Sequence, residues 1–390
     1  MSDAMSSRCM PPSSPAEPRG GEVRKGEREQ LGREGEALGL DDRRAKDPRV
    51  ARILRRHGEG VYGCAVSADG RIALSVSLDE TCIAWEIETW KAKHVLRGHR
   101  GEVYGAAISA DGRRGLSASR DHTCILWDLE NGKQQCLLDG HTAAVVGCDI
   151  SASGNLGLSA SVDKTCIMWD LQTGKIRKVL AGHTHPVNDC SLSSDGTVGL
   201  SASNDGTCIV WDLTTGNKCR VLIGHSNWVK GCGISADGLT GLSSSVDGTC
   251  IVWDLKTGEK RHILAGHSSF VLDCKVSLDG RIGISASWDT TCAVWNLDTG
   301  TCCFPLVGHT RGVKGCSISG DNSMCLSAST DKTCIAWDLH ELGVGSIDHT
   351  QSVVRKDIAS LEMIHGEICQ ALYGFNFWGL MKQGARITSG

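Results

Sequence analysis

The sequence predicts an all-β protein made of seven equal repeats. Three residue types recur every 42 residues: a histidine, an aspartate 22 residues after it, and a tryptophan 28 residues after it. The histidines are His57, His99, His141, His183, His225, His267 and His309. The aspartates are Asp79, Asp121, Asp163, Asp205, Asp247, Asp289 and Asp331. The tryptophans are Trp85, Trp127, Trp169, Trp211, Trp253, Trp295 and Trp337. A constant period of about 20–50 residues indicates repeated units that stack on one another.

Each repeat predicts four short strands. In the repeat that starts at His141, four apolar or alternating runs are separated by turns rich in Gly, Asp and Ser. The runs are VVGCDIS, LGLSAS, TCIMWDL and IRKVL. Runs of this length, bounded by turn residues, are typical of an antiparallel meander.

A single sheet of this kind needs cover, because both faces of its inner strands are apolar. Neighbouring copies supply that cover when the sheets are arranged radially, and the arrangement leaves only short, protected edges. The predicted fold is therefore a seven-bladed β-propeller of four-stranded antiparallel blades.

The repeat pattern resembles the WD40-repeat family. Gly-His, the aspartate and Trp-Asp stand at that family's spacing over residues 49–339, with few departures: Arg56 replaces the glycine, and Glu86 and Asn296 replace the second aspartate. The sequence after Leu339 predicts no fourth strand, and VARILRR before His57 matches KHVLRGH before His99. The resemblance implies that this N-terminal strand completes the seventh blade.

The repeated histidines and aspartates, with nearby serines such as Ser75 and Ser77, could suggest a hydrolase triad. Seven equivalent sets cannot all be one active site, however. The resemblance implies instead that each set forms a buried hydrogen-bond network that holds its blade together. For the third repeat this network joins His141, Asp163 and Trp169 with either Ser159 or Ser161. A fully connected buried network specifies one geometry.

The 20 cysteines predict core packing. Most fall at two repeat positions within the predicted strands, and Ala106 occupies one of these positions in the second repeat. A free cysteine packs as a small apolar side chain. No Cys-x-x-Cys pair occurs, and 42 residues is not a metal-ligand spacing. We expect no disulfide, metal or cofactor.

The segments outside the repeats predict two tails. Residues 1–48 are rich in Pro, Gly, Ser, Arg and Glu, a composition typical of disorder. Residues 340–390 form a C-terminal extension, with apolar residues at helical spacing near 352–372 that predict an amphipathic helix.

Charge and hydropathy limit the partners. The net charge of −4 and the pI of 6.4 give no reason to expect nucleic-acid binding. No apolar run reaches the roughly 18 residues of a membrane helix, and the N-terminus has no apolar export signal. We expect a monomeric propeller in the cytoplasm, with the nucleus as the alternative.

Positions where the repeats diverge are candidates for partner binding. Large apolar residues in repeats five to seven, flanked by cations, form a predicted aromatic patch: Trp228, Lys230, Phe270, Leu272, Trp288, Arg311 and Lys314. Its composition is typical of interaction hot spots, and it suits either an acidic-hydrophobic or a basic peptide. A weaker, second set is the tyrosine cluster: Tyr62, Tyr104, Arg120 and His122.

The functional expectation is a non-catalytic scaffold or adaptor that binds proteins or peptides and supports the assembly of protein complexes. No repeat carries the long loop that enzymes on repeat scaffolds use to bring groups together, so we do not expect an enzyme. Two alternatives remain: a reader of peptides such as histone tails, and a substrate receptor of a ubiquitin ligase. A histone-tail reader predicts an acidic or polar pocket at the channel mouth.

Overall fold

The structure is a computed structural model that describes residues 49–339 of the 390-residue chain. Over this range it contains 28 strands and no helix. The strands form seven antiparallel sheets of four strands each. The predicted all-β, seven-bladed propeller is confirmed. The predicted disordered tail (1–48) and C-terminal helix (352–372) lie outside the described residues.

The strands follow the repeats closely. The first strand, β1 (Val50–Arg55), belongs to the last sheet. Blade 1 contains β2 (Val61–Val66), β3 (Ile72–Ser77), β4 (Thr81–Glu86) and β5 (Lys91–Arg97). Blade 2 contains β6 (Val103–Ile108), β7 (Arg114–Ser119), β8 (Thr123–Asp128) and β9 (Lys133–Asp139). Blade 3 contains β10 (Val145–Ile150), β11 (Leu156–Ser161), β12 (Thr165–Asp170) and β13 (Lys175–Ala181).

The remaining blades repeat this order. Blade 4 contains β14 (Val187–Leu192), β15 (Val198–Ser203), β16 (Thr207–Asp212) and β17 (Asn217–Ile223). Blade 5 contains β18 (Val229–Ile234), β19 (Thr240–Ser245), β20 (Thr249–Asp254) and β21 (Lys260–Ala265). Blade 6 contains β22 (Val271–Val276), β23 (Ile282–Ser287), β24 (Thr291–Asn296) and β25 (Thr301–Val307). Blade 7 contains β26 (Val313–Ile318), β27 (Met324–Ser329) and β28 (Thr333–Asp338), together with β1.

The inner strand is the first of each blade in chain order, except in blade 7, where β1 is the outer strand and β26 is the inner strand. The inner strands β2, β6, β10, β14, β18, β22 and β26 contact one another in a closed ring. At Gly63 this approach leaves no room for a side chain, because a Cβ there would lie 2.6 Å from the Tyr104 carbonyl oxygen. The inner strands therefore surround a narrow central channel.

The core lies between blades rather than within one blade. One cluster joins Leu158 and Ala160 of blade 3 to Ile209 and Trp211 of blade 4. Equivalent clusters fill the other spaces between blades. Each sheet thus buries both faces against its neighbours, which explains why four consecutive residues of the third strand in blades 3 and 4 are apolar and buried.

The two ends of the described chain meet in blade 7. Strand β1 pairs with β28 in antiparallel register, with Ile53 opposite Ile335 and Leu54 opposite Cys334. Leu54 is only 4% exposed and packs between blades 7 and 1. The outer strand of this blade is therefore supplied by residues that precede the first histidine.

The cysteines lie mainly in the core. All 18 cysteines within residues 49–339 are free, and 14 of them are buried. Burial raises the pKa of Cys82 and Cys208 to about 12, so these thiols stay protonated at neutral pH. Within the described range, no group of three or more His, Cys, Asp or Glu side chains is arranged to hold a metal ion.

Candidate functional site

Each blade contains the same buried network of tryptophan, serine, histidine and aspartate. In blade 3 the Trp169 Nε1–H donates to Ser159 Oγ at 2.8 Å. Ser159 Oγ lies 2.8 Å from His141 Nε2, and His141 Nδ1 lies 2.7 Å from Asp163 Oδ2. The serine is therefore Ser159 rather than Ser161, which instead donates to the backbone carbonyls of the preceding loop.

The geometry repeats in all seven blades. The tryptophan–serine distances are 2.8–2.9 Å. The serine–histidine distances are 2.7–2.8 Å. The shortest histidine–aspartate distances are 2.7–3.0 Å. The serines are Ser75, Ser117, Ser159, Ser201, Ser243, Ser285 and Ser327.

Only one proton arrangement gives every donor in this network an acceptor. An ionised Asp163 accepts only, so His141 carries its proton on Nδ1, and the unprotonated Nε2 accepts from Ser159. Burial lowers the pKa of His141, although Asp163 opposes this effect. The lowered pKa keeps the imidazole ring neutral. Burial also opposes ionisation of Asp163, but hydrogen bonds from Thr165 and His141 outweigh it and lower the pKa of that carboxyl.

The sequence reasoning missed one member of the network. A threonine two residues after each aspartate donates to its Oδ1, for example Thr165 to Asp163 at 2.6 Å. Its signal was visible, because all seven aspartates have threonine at this offset. Since Ser159 is fully buried, the network offers no nucleophile to a substrate. It fixes each blade's geometry.

The candidate binding face surrounds the mouth of the central channel. One cavity is lined by the second residue of every inner strand: Tyr62, Tyr104, Val146, Asn188, Lys230, Leu272 and Lys314. In every blade, the residue before the repeat aspartate donates its backbone N–H to the carbonyl of the residue before the inner strand, as Trp288 does to Phe270 at 2.9 Å. The positions where the repeats diverge are thus direct neighbours.

The aromatic patch is exposed on this face. Trp228, Phe270 and Trp288 are 51%, 49% and 46% exposed, although each is a large apolar side chain. The Trp288 ring lies against Gly312 of the next blade, where an added Cβ would come within 2.8 Å of the indole. Glycine at this position therefore leaves room for the ring.

Two lysines connect the aromatic rings. Lys230 Nζ lies 5.1 Å from the centre of the Trp228 ring. Lys314 Nζ lies 4.5 Å from the Trp288 ring and 5.0 Å from the Tyr62 ring. These are cation–π distances. The ring centre of Tyr62 also lies 5.6 Å from that of Tyr104. Lys314 therefore joins the aromatic patch to the tyrosine cluster in one continuous surface.

Not every predicted residue joins this surface. Arg120 is paired with Glu102 at 2.7 Å, so its charge is compensated within blade 2. His122 is exposed and adopts a left-handed turn conformation with φ of 74°. Arg311 is exposed, and no cation–ring contact within residues 49–339 involves it. Leu272 lines the channel mouth between the two lysines.

Charged side chains deeper in the channel were not among the predicted residues. Lys275 Nζ lies 3.1 Å from Asp189 Oδ2 and 3.7 Å from Asp273 Oδ1. The two aspartates stand where the other five inner strands have glycine, a difference that is visible in the sequence. Pattern alone did not reveal that they share one channel.

These carboxylates link adjacent blades. Asp189 accepts from the Cys232 N–H of blade 5, and Asp273 from the Cys316 N–H of blade 7. Asp149 likewise accepts from the Leu192 N–H of blade 4 at 2.9 Å. Burial raises the pKa of Asp273 to about 6, although Lys275 opposes this effect.

The comparison with protein families agrees with this geometry. The WD40 family, described as WD domain, G-beta repeat, matches residues 49–86, 90–128, 132–170, 174–212, 216–254, 258–296 and 300–338. The chain belongs to the WD40 family. The comparison with curated proteins gave no match. WD40 propellers generally serve as protein-interaction scaffolds and bind proteins or peptides. Residues 49–339 contain no helix with the length and apolar character needed to cross a membrane.

Proposed function

We propose that this WD40 propeller is a non-catalytic scaffold or adaptor that binds partner proteins through the aromatic patch at its channel mouth. The observation that carries the proposal is the exposure of Trp228, Phe270 and Trp288 on one face, held beside two lysines. Exposed aromatic rings near cations are typical of the residues that contribute most to binding. At the position of Trp228 and Phe270 the other blades have glycine, alanine, proline or glutamate, and at the position of Trp288 no other blade has an aromatic residue.

A non-catalytic role is favoured by the seven buried networks. The repeated histidine, serine and aspartate hold strands together, and Ser159 is inaccessible to a substrate. The loops that connect the strands within residues 49–339 are short and nearly equal in length, whereas catalytic residues are disproportionately carried by longer loops.

The proposal is tested with a triple variant, Trp228→Ala, Phe270→Ala and Trp288→Ala. Partners captured from a native lysate by the full chain are identified, purified and titrated calorimetrically against wild type and the variant. We expect binding to weaken at least about a hundredfold, since hot-spot truncations cost about 2 kcal/mol or more each.

The matched control removes exposed apolar side chains from the outer strands: Val179→Ala, Val221→Ala and Ile263→Ala, which are 54%, 43% and 60% exposed in wild type. Control and test variants must both melt near the wild-type temperature. Equal affinity of the test variant and wild type for every purified partner would contradict the proposal.

A further inference from the structure

The aromatic rings at the channel mouth already have cations of this chain beside them. Lys314 Nζ lies between Trp288 and Tyr62, and Lys230 Nζ lies over Trp228. A basic ligand that sought these ring faces would have to displace a lysine and approach two like charges. The geometry therefore disfavours recognition of a basic peptide such as a histone tail.

The two lysines have no acidic partner within residues 49–339. Lys230 donates to the neutral side chain of Asn204 at 3.1 Å, and Lys314 makes only ring contacts. Burial lowers the pKa of Lys230. Burial also lowers the pKa of Lys314, and repulsion from Lys230 adds to the effect. An anion at the mouth would relieve both the desolvation and the repulsion.

The acids deeper in the channel do not compensate these lysines. Asp189 and Asp273 are paired with Lys275 and also accept backbone N–H groups of neighbouring blades. Within residues 49–339 no carboxylate lies at ion-pair distance from Lys230 or Lys314. The channel mouth therefore presents two uncompensated ammonium groups next to exposed aromatic rings.

We propose that the channel mouth binds an acidic-hydrophobic peptide segment of a partner protein. An aspartate or glutamate carboxylate of the segment accepts hydrogen bonds from Lys230 and Lys314. Its apolar side chains pack on the aromatic patch, with Leu272 between the two lysines. This inference rests on the proposed function and names the chemistry of its partner. Charge-assisted hydrogen bonds supply orientation, and the aromatic surface supplies buried area.

The test is a phage-display selection of random dodecapeptides on the full-length protein. We expect selected peptides to be enriched in Asp or Glu next to Leu, Ile, Phe or Trp. A synthetic peptide with the selected consensus is then measured by fluorescence anisotropy, beside a copy in which Asp and Glu become Asn and Gln. The amide copy should bind at least about tenfold more weakly, as expected for lost hydrogen bonds to charged groups.

The protein side of the test is the double variant Lys230→Gln and Lys314→Gln. It should reduce affinity for the acidic peptide at least about tenfold and abolish most of its salt dependence, while the amide copy binds wild type and variant alike. The control Lys133→Gln and Lys175→Gln removes two exposed lysines of outer strands. It should leave the affinity unchanged.

Several outcomes would overturn the inference. They are enrichment of basic peptides, and no enrichment of any peptide over the naive library. A third is a loss of affinity in the Lys133→Gln and Lys175→Gln control equal to that in the Lys230→Gln and Lys314→Gln variant. Binding confined to a phosphoserine copy of the peptide, or to vesicles with 20% phosphatidylserine, would overturn it as well. If the aromatic triple variant loses its purified partners while selection yields basic peptides, the proposed function stands and only this chemistry fails.

Discussion

The role of a single side chain is clearest at Asp163. Its Oδ2 accepts from His141 Nδ1 and from the Thr142 N–H, and its Oδ1 accepts from the Thr165 N–H and hydroxyl. Both oxygens are therefore saturated with donors from two turns of the blade. Because the fully buried Trp–Ser–His part of the network depends on this anchor, one carboxylate connects strand, loop and turn.

We predict that Asp163→Asn lowers the free energy of unfolding by about 2–4 kcal/mol. Whichever way the amide turns, its NH₂ group faces two donors and leaves them unsatisfied. Urea denaturation of wild type and variant measures the difference. The exposed Glu130→Gln control changes the net charge equally and should cost less than about 0.5 kcal/mol. A loss for Asp163→Asn no larger than that of the control would contradict the prediction.

A second residue-scale prediction concerns Asp273 and pH. Burial raises its folded-state pKa from 3.8 to about 6, so the folded protein binds more protons than the unfolded chain in this window. Its contribution to stability is fully present below about pH 4 and is lost as the pH rises through 6. Relative to Asp273→Asn, wild type should therefore lose stability between pH 4 and pH 7. Urea denaturation at several pH values measures this trend. The prediction would be disproved if the free energy of unfolding of wild type, relative to that of Asp273→Asn, increased with pH.

Among the strands, β1 joins the two ends of the described chain, although it is only six residues long. It supplies the outer strand of blade 7 and pairs with β28 from the other end of the described chain. Leu54 on this strand is buried between blades, whereas Arg52 is exposed. Ile53, the next residue to Leu54, packs instead against the cluster between blades 6 and 7, so the two side chains lie on opposite faces of the sheet.

We predict that Leu54→Asp destabilises the whole propeller by about 3 kcal/mol or more, because it places an unpaired charge in the core between blades. Arg52→Asp, at an exposed position of the same strand, is the matched control and should have little effect. Differential scanning fluorimetry compares the two variants. An unchanged melting temperature for Leu54→Asp would show that β1 does not contribute to closure of the ring.

The molecule as a whole is a ring of nearly identical blades, but the side chains that line its channel differ from blade to blade. Lys275 of blade 6 reaches Asp189 of blade 4 and the Cys232 carbonyl of blade 5. Through the same lysine, Asp273 is also neutralised in part. One ammonium therefore connects three consecutive blades at the axis, where the inner strands are closest.

We predict that Lys275→Met lowers the free energy of unfolding by about 3–5 kcal/mol at pH 7, as for a buried ion pair that loses one partner. Asp189 and Asp273 would then repel each other, so part of the loss should be recovered at pH 5, where Asp273 takes up a proton. Urea denaturation at both pH values provides the measurement. Lys175→Met in an outer strand is the control, and a loss independent of pH would argue against the channel cluster.

The sequence by itself determined the repeat, the four strands of each blade and the histidine, aspartate and tryptophan of the buried network. These features depend on contacts within about 30 residues, and the period repeats them seven times. Only the tertiary structure decided that Ser159 rather than Ser161 joins the network, because the two serines are two residues apart on β11 and share one face, so the alternation of a strand does not separate them.

Contacts between residues of different blades could not be predicted from the sequence either. Lys314 and Tyr62 are separated by most of the chain but become neighbours because blade 7 closes against blade 1. Arg120, which the sequence placed in the weaker tyrosine cluster, is paired with Glu102 across two turns of one blade. A periodic pattern specifies each blade's own contacts, whereas the closure of the ring determines which differing residues meet at its axis.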